Sequence, residues 1–83
     1  MTLTNRRGLH ARASARFVTL AAGLPAEVEV ERDGSKVTGT SIMGLMMLGA
    51  AMGDSILIRA EGEGAEEAVA ALVRLVEEKF GEE

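Results

Sequence analysis

The spacing of apolar positions along the chain changes period several times, and each change predicts an element. Glu27–Arg32 reads Glu-Val-Glu-Val-Glu-Arg, a strict alternation that puts Val28 and Val30 on one face and the acids on the other. Asp33-Gly34 follows as the strongest two-residue hairpin signal in the chain, so Lys36–Gly39 is predicted to return as the antiparallel partner strand. Ser55–Glu61 contains Ile56, Leu57 and Ile58 and predicts a further strand, at the centre of the sheet. Met1–Asn5, with Leu3 between two threonines, predicts a brief first strand.

Helical periods fill the gaps. Ala13, Phe17 and Leu20/Ala21 recur at helical spacing within Ala11–Ala22, and Gly23, Leu24 and Pro25 end that run. Ala65, Ala68, Val69, Leu72, Val73, Val76 and Phe80 form one stripe of a final helix, with Glu66 and Glu67 in its first turn and Lys79 in its last. Ser41–Leu48 is apolar and methionine-rich. It reads as a short helix with Ser41 as N-cap and Gly49 as C-cap, although the run alone also suits a strand. The order β-α-β-β-α-β-α is that of an α+β fold, a sheet with helices packed on one face.

Composition narrows the function classes. The chain has 83 residues and 8.7 kDa, which is room for one domain, 1–83. It has no cysteine, so neither a disulfide framework nor a thiolate metal site is expected, and no paired-histidine metal set or cofactor motif is present. No apolar run reaches membrane-span length and no secretory leader is read at the start; with the lack of disulfides this leads us to expect a cytoplasmic protein without membrane insertion. Phe17 and Phe80 are the only aromatic residues, which excludes a base-stacking platform, and the net charge of −4 argues against nucleic acid as a partner.

The distribution of charge is more informative than its sum. Arg6, Arg7, Arg12 and Arg16 lie in the first twenty residues with no acid among them, while residues 61–83 are strongly acidic. The one histidine, His10, falls where loop becomes helix in Gly8-Leu9-His10-Ala11-Arg12. A helix start presents unpaired N–H groups and partial positive charge to an anion. Imidazole is a neutral nucleophile near neutral pH and suits attack on a phosphoryl group. On position and charge alone, a plain capping histidine competes with this reading. No acidic residue lies near His10 in sequence to orient it as in a hydrolase triad. Ser41 is either an ordinary N-cap or a phosphorylation site whose charge would spoil an apolar docking surface. Met43, Met46, Met47 and Met52 cluster within ten residues; some are expected to fill the core, while Ile42, Met43 and Met46 suit an adaptable patch for partner proteins.

Gly8-Leu9-His10-Ala11-Arg12 with Phe17-Val18 resembles the active-site segment of HPr, the histidine-containing phosphocarrier family of the bacterial phosphoenolpyruvate:sugar phosphotransferase system. Thr40-Ser41-Ile42-Met43-Gly44-Leu45-Met46 with Leu48-Gly49 resembles the regulatory-serine segment of the same family. The resemblance runs over essentially the whole chain. It implies an open-faced β-sandwich: a four-stranded antiparallel sheet covered on one face by three helices. It implies that His10 is phosphorylated on Nδ1, with Arg12 stabilising the phosphoryl group. Enzyme I would be the donor and an enzyme IIA-type protein the acceptor. It further implies that Ser41 matches the serine modified by HPr kinase/phosphorylase, that Ala15, Arg16, Ile42, Met43 and Met46 dock on partners, and that the chain is a monomer. Two departures stand out. Ala13 replaces the proline usual after the active-site arginine, as in variants of the alphaproteobacterial, nitrogen-related branch. Only nine residues precede His10, so the first strand is expected to be clipped.

A regulatory binding module that docks on a kinase or transcription factor, with His10 idle, is the competing class; it has no use for a His10/Arg12 pair at a helix start. A small-ligand sensor is the least favoured, because no loop is long enough to enclose a substrate.

Overall fold

A computed structural model of the chain describes residues 1–82. Its elements are α1 (Ala11–Ala22), β1 (Glu27–Arg32), β2 (Ser35–Thr38), α2 (Ile42–Met47), β3 (Leu57–Glu61) and α3 (Ala65–Glu77), followed by a single tight turn at Lys79–Gly81. The sheet order is β2-β1-β3 with both pairings antiparallel. Arg32 pairs with Ser35 across the Asp33-Gly34 turn, whose two residues both take left-handed backbone (φ 49° and 85°), the geometry that matches the twist of a two-residue hairpin.

Val28, Val30 and Ile58 point to the helical side of the sheet and are buried, whereas Glu27, Leu57, Arg59 and Glu61 lie on the open side. There Arg59 bridges Glu29 and Glu31 across neighbouring strands. α3 packs on β3, α2 on β2, and α1 on both α2 and α3. Phe17, Val30, Leu45, Leu72, Val76 and Phe80 are fully buried in one cluster, and burial of each such side chain stabilises the fold by roughly 1.5–3 kcal/mol.

Five expectations need correction. The described sheet has three strands rather than four. Met1–Leu3 does run antiparallel to Asp54–Ile56, with Leu3 N–H donating to Asp54 O at 2.9 Å and Ile56 N–H to Met1 O at 2.8 Å. Only the isolated bridge Thr2–Ser55 results, because the chain turns at Asn5 into the loop that ends at His10. Next, the centre of the sheet is β1, not β3, since β1 has one edge taken by its hairpin partner and the other by β3. Third, α3 ends at Glu77, so Arg74 and not Lys79 occupies its last turn. Lys79 and Phe80 adopt left-handed φ values of 58° and 56°, and the chain reverses while Phe80 is still driven into the core. Such backbone costs on the order of 1 kcal/mol or more per residue and persists only where its surroundings hold it. Finally, none of the four clustered methionines fills the core. Met43, Met46, Met47 and Met52 are all exposed, because Leu45 fills the single buried side of the six-residue α2 and its cap, Leu48, continues it. The predicted C-cap, Gly49, lies one residue past the observed cap at Leu48.

No helix of the described residues is long and apolar enough to cross a membrane.

Candidate functional site

The loop that delivers His10 is seated on the segment that follows α2. Leu9 N–H donates to Ala50 O at 3.0 Å, and Gly8 lies so close to that strand of backbone that a Cβ on it would stand 2.3 Å from Ala50 O. Only glycine fits there, the more so at φ 59°. The supporting segment is itself bolted to β1. Arg32 donates to Leu48 O at 2.9 Å and to Asp54 Oδ2 at 3.0 Å, and the same carboxylate oxygen accepts Ala51 N–H at 2.9 Å.

His10 is the N-cap of α1. Its backbone is extended, its carbonyl accepts Ser14 N–H at 2.9 Å, and its side chain is 15% exposed. The imidazole Nδ1 accepts the Arg12 backbone N–H at 3.2 Å. The other ring nitrogen, Nε2, faces Oε2 of Glu82. A carboxylate only accepts, and an N–H only donates, so the ring proton sits on Nε2 and the Nδ1 lone pair faces the mouth of the helix. The first-turn amides of α1 have no acceptor within the helix. Ala13 adds an amide there that a proline would lack.

Glu82 is held in turn. Its Oε1 accepts from Asn5 Nδ2 at 3.0 Å, and the same nitrogen donates to Gly8 O at 2.8 Å. Burial opposes ionisation of the Glu82 carboxyl, but the hydrogen bonds from Asn5 and His10 and the positive charge of Arg7 outweigh it. The carboxyl is held below its ordinary value of 4.5.

The arginines surround this centre. Arg12 is exposed on the first turn of α1, and its side chain makes no hydrogen bond among the described residues. Arg16 lies one turn further on, where its guanidinium would stand 3.1 Å from a Cβ on Gly81. Ser41 caps α2 by accepting Gly44 N–H at 2.9 Å and has no hydrogen bond to His10. Ile42, Met43 and Met46 are exposed on α2, which packs beside α1, where Ala15 is half-buried and Arg16 exposed. A cavity of about 660 Å³ forms an open groove between the end of α1 and the sheet, lined by Leu24, Glu29, Thr38 and Arg59; no predicted site residue reaches it.

Two site residues escape a reading of the sequence. The acidic orienter of His10 lies 72 residues along the chain, and the asparagine that fixes it lies 77 residues from it. No local spacing links such positions; the one hint is an acid two residues beyond an apolar Phe80 in Phe80-Gly81-Glu82. The serines offer no triad: the Ser14 hydroxyl is committed to Leu9 O, and Nδ1 faces an amide rather than a hydroxyl.

Residues 1–78 match the family model described as the PTS HPr component phosphorylation site. The phosphocarrier protein HPr of Pseudomonas aeruginosa is 46% identical over 83 residues, covering 99% of this chain and 92% of that protein. The phosphocarrier protein NPr of Shewanella violacea is 37% identical over 82 residues, covering 99% and 90%. Among solved structures, HPr-C-His from Thermoanaerobacter tengcongensis superposes with a TM-score of 0.95 at 47% identity, covering 100% of this chain and 93% of that one.

Proposed function

The chain belongs to the HPr family and is a phosphocarrier of the phosphotransferase system, and within that role we propose that His10 accepts the phosphoryl group on Nδ1. The observation that carries this assignment is the opposed pair of contacts on the imidazole, which leaves the lone pair on Nδ1 at the open start of α1. The incoming phosphoryl oxygens would take over the Arg12 amide, meet the neighbouring first-turn amides, and be neutralised by the exposed Arg12 guanidinium. Transfer then rests on positioning and charge stabilisation.

Enzyme I is the proposed donor, and an enzyme IIA-type protein the proposed acceptor. They would dock on Ile42, Met43 and Met46 together with Ala15 and Arg16, since this apolar patch lies on the helix packed beside α1. Phosphorylation of Ser41 by a kinase of the HPr kinase/phosphorylase type would place a dianion at the edge of that patch. The carrier would act as a cytoplasmic monomer with residues 1–83 as one domain. Relatives named both HPr and NPr keep sugar transport and nitrogen regulation in view as its setting. A docking module with His10 idle is not favoured, because it gives the arranged imidazole no task.

Incubation with phosphoenolpyruvate and enzyme I is expected to add one acid-labile phosphate per chain. His10→Ala is expected to abolish the label while the circular dichroism spectrum stays that of the folded protein. Acid-labile label persisting in that variant would place the acceptor elsewhere.

A further inference from the structure

Two features around Glu82 are costly taken alone: the backbone of Lys79–Gly81 and the buried amide of Asn5. Lys79, Phe80 and Gly81 all take left-handed backbone (φ 58°, 56° and 75°), an expensive conformation for the first two. It is fixed by burial of Phe80 and by hydrogen bonds from Gly81 N–H to Glu78 O and from Glu82 N–H to Lys79 O, both 3.0 Å. Its product is the return of Glu82 onto the His10 ring. Asn5 is fully buried, and its Oδ1 has no partner among the described residues. The amide is turned so that its nitrogen serves Glu82 and Gly8; the opposite orientation would set an oxygen against two oxygens. A buried amide placed only for packing would not leave an acceptor orphaned.

We propose that Glu82, fixed by Asn5, is a positioning residue for phosphoryl transfer: its carboxylate keeps the proton on His10 Nε2 through both halves of the cycle. The proposal rests on His10 Nδ1 being the acceptor. In the first half the Nδ1 lone pair forms the bond to phosphorus, while the donor's bond to phosphorus breaks and leaves its electron pair on the donor. The ring, still bearing hydrogen on Nε2, becomes an imidazolium with Glu82 against its charge. In the second half the acceptor's lone pair attacks phosphorus, and the electron pair of the Nδ1–P bond returns to Nδ1. The ring leaves neutral, with hydrogen still on Nε2. Were that proton lost, the leaving group would be an imidazolate anion, a far poorer one. Glu82 lies on the side of the ring opposite Nδ1, so it does not oppose the incoming dianion at close range. Arg7 near the carboxylate favours its ionised form, and the Arg16 guanidinium lies beside the neighbouring Gly81.

The test compares the full-length wild-type chain with Glu82→Ala and Glu82→Gln. It measures ring ¹⁵N shifts of His10 at neutral pH and single-turnover phosphoryl acceptance from phosphorylated enzyme I. The wild-type ring is expected to show hydrogen on Nε2. Glu82→Ala is expected to mix the tautomers and slow acceptance about tenfold. Glu82→Gln offers one oxygen for two donors, Asn5 Nδ2–H and His10 Nε2–H, so its tautomer balance and rate should fall between those of Glu82→Ala and wild type. A wild-type ring with hydrogen on Nδ1 would overturn the proposal, as would Glu82→Ala accepting phosphoryl at the wild-type rate. Those outcomes leave phosphorylated His10 standing; wild-type protein that takes no phosphate on His10 would instead remove the reading on which the proposal rests.

Discussion

The His10 ring is held on both sides. The Arg12 amide donates to one ring nitrogen and the Glu82 carboxylate accepts from the other, which sets the tautomer of the ring. The same contact links the site to stability. The Glu82 carboxyl titrates below 4.5 in the fold, so in acid the unfolded chain takes up its proton first. Its stabilisation is therefore complete above about pH 4.5 and disappears as the pH falls through the lower folded value. Thermal melts of wild type and Glu82→Gln are expected to differ by a constant margin from about pH 6 to about pH 5, with the margin closing towards pH 3. A margin independent of pH would show that the carboxylate is not held by its charge.

The elements differ in how much of them their own sequence specifies. α1 runs Ala11–Ala22 as its spacing predicts, since both the apolar stripe and the Gly23–Pro25 stop are local signals. The Asp33-Gly34 hairpin also follows from two residues that tolerate left-handed backbone. Ser41 caps α2 as predicted, and here the cap matters, because a six-residue helix has little stability of its own. Ser41→Ala is expected to cost about 1 kcal/mol in urea unfolding by removing the acceptor for Gly44 N–H. Ser41→Asp keeps an acceptor and adds a charge suited to a helix start, so stability should be retained while the KM for enzyme I rises. An unchanged KM would remove Ser41 as a switch. Other features were not legible locally. Which strand is central depends on what pairs with each edge, and the apolar run Ile56, Leu57 and Ile58 is silent about that. The end of α3 is hidden from the sequence because Phe80 keeps the apolar period while the chain reverses around it.

At the scale of the whole molecule, the site joins three distant stretches. Residues 5–12 bring the imidazole and the helix mouth. Residues 48–54, pinned by Arg32, form the seat beneath Gly8 and Leu9. Residues 79–82 return the carboxylate. One core organises all three: Leu9, Leu48, Ala50 and Phe80 belong to the same buried cluster as Phe17 and Leu72. The motif around His10 was readable because its parts are adjacent in sequence. Asn5 and Glu82 were not, because only the closed core brings them together. The most direct test of this account is ³¹P–¹⁵N coupling in the ¹⁵N-labelled chain after phosphorylation by enzyme I. The account predicts coupling to Nδ1 of His10, with hydrogen on Nε2. Phosphate coupled to Nε2, or carried by another residue, would contradict it.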